Sequence, residues 1–187
     1  MNYSKLVPDS AADRGWWLGS PVTSQESPID AWAFTTGTWY PSEDTIVFPI
    51  KEKGLILDFT FFALGYLALR KSSKTDKIIP LFGDSAQFIP AIAGDGTELY
   101  IVNVLNSIEC LDPTCVNSYY PLDYEFSSKA GKPQMIIGLI LLQDRIVDLP
   151  IFRVGGWQIP MIINDELLVY IKQQQITGIT GMPVLLK

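Results

Sequence analysis

Two neighbouring segments rich in β-branched and aromatic residues constrain the fold more than any other feature of the sequence. Residues 87–93 and 98–108 are apolar over much of their length and are separated by Gly94, Asp95 and Gly96. Glycine and aspartate in so short a connection favour a tight hairpin turn. The sequence therefore predicts a long antiparallel strand pair, with Pro90 at an edge or bulge because proline has no N–H to donate to a sheet.

Residues 58–71 have the apolar spacing of a helix. Phe59, Phe62, Tyr66 and Leu69 recur at intervals of three or four residues, and these intervals place them on one helix face. Asp58 stands where an N-cap carboxylate would accept backbone hydrogen bonds. We therefore expect a helix over residues 58–71 that is buried on more than one side.

A second helix is predicted to begin after Asn164. Asn164 can cap the helix, and the acidic residues that follow it lie in the positive first turn. Leu167, Leu168 and Ile171 form the apolar stripe of this helix. Gly178 follows at a distance that suits a helix stop, because glycine readily adopts positive φ.

The remaining apolar segments are short and predict strands. They are residues 45–50, the continuous apolar run 135–142, residues 146–154 and residues 182–186. We expect the run 135–142 to be a fully buried strand, since its eight residues are too few for a long helix. Strands with two separate helices predict an α+β fold with a mainly antiparallel sheet in a single domain. Residues 1–44, rich in Pro and Trp, are expected to pack irregularly on the domain formed by residues 45–187.

The composition excludes several classes of function. The chain has no histidine, so it cannot form a Ser-His-Asp or Cys-His nucleophile system or an HExxH zinc helix. Its 14 basic and 20 acidic residues give a net charge of −6, which is unfavourable for binding nucleic acid. The sequence also has no glycine-rich phosphate loop and no G-x-S-x-G motif.

Two cysteines, Cys110 and Cys115, are the only thiols in the sequence. One C-x4-C pair without histidine cannot complete a tetrahedral zinc site from nitrogen and sulfur ligands, so neither a metal nor another cofactor is expected. Free thiols in a reducing compartment are the default, although a local disulfide is sterically conceivable. The apolar run 55–69 is too short for a bilayer. These observations predict a cytoplasmic protein without a membrane partner.

The C-terminal third of the sequence resembles a known family. The segments are DLPIFRVGGW (residues 148–157), IINDEL (162–167) and QITGI (175–179), and they contain the family-like positions Phe152, Arg153, Gly155 and Gly178. With QFIP (87–90) and YIVNVLNSIECLD (100–112) upstream, this pattern resembles the immunity-protein-eleven family of bacterial polymorphic toxin systems. The resemblance covers about residues 50–180 and leaves the first 44 residues unmatched.

The resemblance implies a non-enzymatic antitoxin. Such a protein is made in the cytoplasm beside a secreted or contact-delivered toxin, and it binds and blocks the toxin domain. The resemblance transfers no catalytic residue. From the residues themselves, Phe152 is expected in the core and Arg153 as a structural hydrogen-bond donor to a carboxylate or to backbone carbonyls.

Two acidic and aromatic patches are the candidate binding surface, because aromatic anchors and charge complementarity dominate protein recognition. We hypothesise that the two patches form one toxin-facing surface, and in the pair Trp16-Trp17 one ring should be exposed because neighbours in an extended segment point to opposite faces. The N-terminal patch is Trp16, Trp17, Glu26, Asp30, Trp32, Trp39, Tyr40, Glu43 and Asp44, and the second patch is Asp112, Tyr119, Tyr120, Asp123, Tyr124 and Glu125.

Two other functions are also compatible with the sequence. A structural or assembly protein could bind a different partner through the same acidic and aromatic surface. An enzyme that works with two carboxylates, such as a glycoside hydrolase, needs no histidine. That enzyme would require a deep cleft in which a carboxylate with a raised pKa faces a second carboxylate.

Overall fold

The computed structural model describes residues 2–41, 44–62, 65–127 and 129–187. Most of its regular structure is β-strand, with one α-helix, α1 (Asp165–Gln173), among the described residues. The strands are β1 (Tyr3–Pro8), β2 (Trp17–Leu18), β3 (Val22–Thr23), β4 (Ile46–Phe48), β5 (Ile50–Glu52), β6 (Phe59–Phe62), β7 (Tyr66–Arg70), β8 (Ala86–Ala93), β9 (Glu98–Val104), β10 (Ser107–Ile108), β11 (Val116–Tyr119), β12 (Pro133–Ile136), β13 (Ile140–Leu141), β14 (Ile151–Val154), β15 (Trp157–Asn164), β16 (Ile179–Pro183) and β17 (Leu185–Leu186).

A six-stranded sheet is built around the predicted hairpin, in the order β3-β4-β8-β9-β7-β6. Strands β8 and β9 pair antiparallel from Ala86 opposite Val104 to Ile92 opposite Glu98, which confirms the hairpin. Pro90 was predicted at a sheet edge or bulge, but its strand, β8, lies inside the sheet between β4 and β9. The prediction of an edge strand is therefore wrong. Parallel pairing with β4 begins only at Ala91, and Pro90 therefore lies beyond the end of β4.

The predicted helix over residues 58–71 is wrong. Strands β6 and β7 form an antiparallel hairpin in which Phe59 lies opposite Leu69 and Phe62 opposite Tyr66. Gly65 adopts a φ of 82° in the connection between them, a conformation that glycine reaches without strain. The segment is apolar almost throughout, so apolar residues occur at helical spacing and also at every second position. The same residues can therefore fill one face of a helix or both buried faces of a strand pair.

A five-stranded sheet contains the first strand of the chain, in the order β10-β14-β15-β1-β16. Strand β1 pairs antiparallel with β15 on one side and with β16 on the other. The expectation that residues 1–44 are irregular throughout is therefore wrong for Tyr3–Pro8. The rest of that segment contributes the two-residue strands β2 and β3 and the 3-10 helices Ala12–Arg14 and Ala31–Thr35.

The core lies mainly between the two sheets. Buried side chains of the six-stranded sheet, such as Phe59 and Val102, pack with Ile151 and Ile163 of the five-stranded sheet and with Leu167 of α1. A second cluster covers the outer face of the six-stranded sheet and includes Trp16, Phe34 and Phe48 from the N-terminal part of the chain. A third cluster covers the outer face of the five-stranded sheet and includes Tyr3, Phe152 and Ile162.

Helix α1 begins as predicted. The side chain of Asn164 accepts a hydrogen bond from the backbone N–H of Leu167 at 2.9 Å, and Leu167, Leu168 and Ile171 are buried. The predicted role of Gly178 as the helix stop is wrong, because the helix ends at Gln173 and the first residue with positive φ after it is Gln175.

Gly178 has a packing role instead. It adopts a φ of 100°, and a Cβ at this position would overlap the backbone carbonyl of Phe59. Next to it, the buried carboxylate of Asp58 accepts hydrogen bonds from the backbone N–H and the hydroxyl of Thr177, at 2.9 and 3.0 Å. Asp58 also forms ion pairs with Arg70 at 2.7 Å and Lys74 at 3.2 Å. The predicted N-cap Asp58 is thus a link between β6 and the segment after α1.

The predicted buried strand 135–142 is also wrong. This run is divided between β12 and β13, and Gly138 between them has a φ of 68°. Met135 and Ile137 are largely exposed, whereas Leu141 is buried. The fold is a mainly antiparallel, mixed β-structure with one described helix, which is consistent with the α+β class. Within residues 2–41, 44–62, 65–127 and 129–187, no helix has the length and apolar character needed to cross a membrane.

Candidate protein-binding surface

Strands β11 and β12 form a two-stranded hairpin of their own, separate from both large sheets. A long connection joins them, and its base is closed by a hydrogen bond from the backbone N–H of Tyr120 to the carbonyl of Lys132 at 2.9 Å. On the chain before β11, Cys115 is buried and its thiol donates to the carbonyl of Asp112 at 3.0 Å. The hairpin therefore starts from a buried anchor and leads into an exposed loop.

The hairpin exposes large apolar side chains. Leu122 is 87% exposed, Ile137 65% and Phe126 56%. Tyr119 and Met135, on the two strands, are each about half exposed. Single exposed apolar residues are ordinary on a protein surface, but a contiguous group of them marks an interaction site. All five lie on one hairpin and its connection, so we infer that this hairpin carries a binding surface.

Three aromatic rings lie around the ammonium group of Lys129, and a fourth ring contacts two of them. Its Nζ lies 5.5 Å from the ring centroid of Trp32, 5.8 Å from that of Tyr120 and 6.0 Å from that of Phe126. The ring of Tyr124 lies between two of these, with centroid distances of 4.7 Å to Tyr120 and 5.8 Å to Phe126. We call these five residues the Lys129 cluster. Its distances lie within the range of cation–π attraction.

The Lys129 cluster brings parts of the two predicted patches together. Trp32 belongs to the 3-10 helix Ala31–Thr35, whose N-cap Asp30 accepts a hydrogen bond from the backbone N–H of Trp32 at 2.9 Å. Phe34 in the same helix is fully buried against the six-stranded sheet, and Trp32 is exposed. The predicted residue Asp30 thus has a structural role, since it orders the turn that presents Trp32.

Asp123 and Glu125 are exposed in the connection between β11 and β12. They alternate with Leu122, Tyr124 and Phe126, so carboxylates and apolar groups share one short stretch. Among the described residues neither carboxylate forms an ion pair. Both are therefore available to attract a positively charged partner.

Two predicted binding residues are structural. Trp16 is buried, and its indole N–H donates to the hydroxyl of Thr60 at 2.8 Å. Asp112 is also buried, and it accepts hydrogen bonds from the backbone N–H and the hydroxyl of Thr114 and pairs with Lys187 at 3.0 Å. These groups, the Thr114 N–H first, lower the pKa of Asp112 to about 2. Trp16 and Asp112 are therefore not part of the candidate surface.

The other residues of the N-terminal patch are dispersed. Trp17 is exposed opposite Glu52 in the β2–β5 pair, which confirms that Trp16 and Trp17 point to opposite faces. Trp39 is exposed as well, whereas Tyr40 is half-buried and packs on Phe34 with a ring distance of 4.9 Å.

Three acidic residues that were predicted in the N-terminal patch remain to be placed. Glu26 lies in an exposed turn with a φ of 62°. Asp44 lines an open groove of about 330 Å³ together with Lys71, Glu98 and Tyr100. Glu43 lies outside the described residues. Neither Glu26 nor Asp44 belongs to the Lys129 cluster.

The four family-like residues, Phe152, Arg153, Gly155 and Gly178, were all predicted to be structural, and all four are buried. Phe152 is fully buried, with its ring 5.5 Å from that of Tyr3. Arg153 is fully buried and donates to the carbonyls of Gln158 at 2.7 Å and Gly65 at 3.0 Å. Burial lowers the pKa of Arg153 to about 10. Gly155 lies against the carboxylate of Glu109, which would have to move to admit a Cβ at this position.

The carboxylates with perturbed pKa values favour the ionised form. Burial raises the pKa of Asp58, but hydrogen bonds from Arg70, Thr177 and Lys74 outweigh burial and lower it overall. Asp95 also has a lowered pKa, mainly because the backbone N–H of Thr97 donates to it. A general acid requires the opposite shift. These groups therefore hold turns and links together and are unsuited to donating protons near neutral pH.

Sequence reasoning missed several residues of the surface. Phe126 and Lys129 complete the Lys129 cluster, and Leu122, Met135 and Ile137 are further exposed apolar residues of the hairpin. The spacing of Phe126 and Lys129, three residues apart in a loop, is a weak local signal for their contact. The approach of Trp32 to a loop about ninety residues away has no signal in a single sequence.

The comparisons with known proteins give no relative: no family model matches the chain, and no match is found among curated proteins. The resemblance to the immunity family stays a prediction.

Proposed function

We propose that the protein is an immunity protein that folds as a single domain and neutralises a cognate bacterial toxin domain in the cytoplasm by binding it. The observation that carries this proposal is the β11–β12 hairpin, which exposes several large apolar side chains and two carboxylates, Asp123 and Glu125, that form no ion pair among the described residues. In this proposal the protein acts by binding alone.

The chemistry of the hairpin suits a protein partner. Interface hot spots are enriched in aromatic side chains that become fully desolvated in the complex. Phe126, Tyr119 and Trp32 are exposed and available for this role. Asp123 and Glu125 would accelerate association with a positively charged partner, since complementary charge acts mainly on the association rate.

The resemblance supports the same function through segments that lie outside the β11–β12 hairpin. Its motifs correspond here to β14, the capped helix α1 and the segment at Gly178. These elements build the core and leave the hairpin exposed. A rigid core that carries an exposed loop suits a protein that recognises its partner through that loop.

The first experiment is co-expression in bacteria with the C-terminal domain encoded by the neighbouring gene, scored by survival and by purification of a complex. We expect the neighbour to kill cells and this protein to rescue them as a stable complex. A neighbour that is harmless, or that kills regardless, would contradict the proposal. A stable complex with a harmless partner would instead support the assembly-protein alternative.

Matched variants then test the surface. Leu122→Ser and Phe126→Ser change exposed residues of the hairpin. Val169→Ser is the control, because it changes a half-exposed apolar residue outside the hairpin, on helix α1. We expect the hairpin variants to weaken toxin binding at least about tenfold, since hot-spot residues are each worth more than about 1.4 kcal/mol. Val169→Ser should bind as the wild type does. Equal binding by all four proteins would place the interface elsewhere.

A further inference from the structure

The Lys129 cluster has the geometry of a cation-binding cage. Three ring centroids lie 5.5 to 6.0 Å from one ammonium nitrogen, and the Tyr124 ring packs in a tilted arrangement against two of those rings, Tyr120 and Phe126. Aromatic cages of this kind bind organic cations through the negative faces of the rings. In this protein the cation is part of the same chain.

The ammonium group of Lys129 is held loosely. Its distances to the rings lie at the outer end of the cation–π range of about 6 Å. Among the residues that the structure describes, no carboxylate lies within ion-pairing distance of Lys129. The long, flexible lysine stem allows the ammonium group to leave the rings for water. Exchange with another cation therefore breaks no ion pair.

The rings are open to an external cation. Trp32 and Phe126 are more than half exposed, so both walls of the cage face solvent. Asp123 and Glu125 are exposed in the same loop and raise the local concentration of cations. An arginine guanidinium is planar, stacks on aromatic faces and is more weakly hydrated than an ammonium group. It is thus the side chain best suited to replace Lys129.

We propose that the Lys129 cluster is a binding site for an arginine side chain of a protein partner, and that Lys129 occupies the site in the free protein. On binding, the partner's guanidinium enters between the rings and the Lys129 ammonium moves into solvent. This inference deepens the proposed function, because it names the group that the toxin domain inserts.

The first test uses no toxin. Capped arginine (N-acetyl-arginine amide) is titrated into the protein while the indole N–H resonance of Trp32 is followed by NMR, with Trp32→Phe identifying that resonance. The variant Lys129→Ala vacates the cage. Lys132→Ala is the matched control, since Lys132 lies in the same hairpin and makes no described contact with the rings. Capped norleucine controls for apolar binding, and thermal melts show that each variant is folded.

We expect Lys129→Ala to bind capped arginine about two- to fivefold more tightly than the wild type, because the internal competitor is gone and its cation–π contacts at an exposed site are weak. Lys132→Ala should match the wild type, and Phe126→Leu introduced into Lys129→Ala should remove the gain. Equal affinity of Lys129→Ala and the wild type, or equal response to norleucine and arginine, would overturn the proposal.

A second arm separates this inference from the proposed function. If capped arginine binds Lys129→Ala but no toxin complex forms, the cage stands and the immunity function fails. If the toxin complex forms with the same affinity for the wild type and Lys129→Ala, and capped arginine does not bind, the immunity function stands and the cage fails.

Discussion

The two large sheets and the β11–β12 hairpin place similar side chains in opposite environments. Phe59 and Phe152 in the sheets are fully buried, whereas Phe126 and Leu122 in the hairpin are mostly exposed. Even charged groups of the sheets, such as Arg153, are buried and hydrogen-bonded. The difference shows that an apolar residue in this chain serves stability in one region and is free for recognition in the other.

The largest contrast is expected between two glycines with positive φ. At Gly178 an added Cβ would overlap the backbone carbonyl of Phe59, whereas at Gly138 it would meet no atom within 4 Å. We expect Gly178→Ala to lower the free energy of unfolding by about 4 kcal/mol or more, in the range of severe backbone disruption. Gly138→Ala should cost only about 1 kcal/mol, the strain of positive φ itself. Urea unfolding measures both, and similar losses would contradict the packing role of Gly178.

Two phenylalanines provide the second contrast. Phe152→Ala removes a fully buried ring, and such a truncation costs about 3–5 kcal/mol. Phe126→Ala removes an exposed ring and should change the free energy of unfolding by no more than about 0.5 kcal/mol. Chemical denaturation of both variants beside the wild type checks the pair. A loss above about 2 kcal/mol for Phe126→Ala would mean that the hairpin contributes to the core.

Asp58 makes the sheet region sensitive to acid. Its folded pKa is lowered from 3.8, so its contribution to stability is fully present above the unfolded pKa and is lost as pH falls through the folded pKa. We expect Asp58→Asn to cost about 2 kcal/mol at pH 7, below the cost for a fully buried pair because Arg70 and Lys74 are partly exposed. Melting curves from pH 7 to pH 2 should converge for the two proteins. Parallel curves would show that Asp58 does not carry this acid sensitivity.

The smallest effect is expected inside the hairpin. Lys129→Ala removes cation–π contacts worth about 0.5–1 kcal/mol at an exposed site. The amide of Tyr120, which closes the hairpin base, should then exchange with deuterium about two- to fivefold faster. The amide of Val102 in β9 serves as the control and should be unaffected. Unchanged exchange at Tyr120 would show that the cage does not hold the hairpin.

The sequence predicts well those elements whose signals are local. Asn164 with Asp165 and Glu166 marks the start of α1, and the Gly94–Gly96 turn marks the β8–β9 hairpin, because capping and turn chemistry are decided within a few residues. The predictions for segments 58–71 and 135–142 were wrong for the same physical reason. An unbroken apolar run fits several periods, and the tertiary partners decide which side chains are buried.

The candidate surface was predictable only in part. Tyr119, Tyr120, Asp123, Tyr124 and Glu125 were found because aromatic and acidic residues alternate in an evident loop. Trp16 and Asp112 carry the same chemistry but are buried, and composition does not distinguish a buried tryptophan or aspartate from an exposed one. The contact between Trp32 and Lys129 depends on how two distant segments meet in the folded chain.

The interior position of β1 in the five-stranded sheet has a consequence for how the chain folds during synthesis. Its pairing partners lie near the other end of the sequence, and Ser4 contacts Asp165 across 161 residues. At translation rates of about 5–20 residues per second, the first strand waits roughly 10–30 s for those partners to be made. Until then its apolar residues and its unpaired backbone are exposed in the nascent chain. The five-stranded sheet therefore closes late, and shielding of the first eight residues by a chaperone would favour correct folding over aggregation.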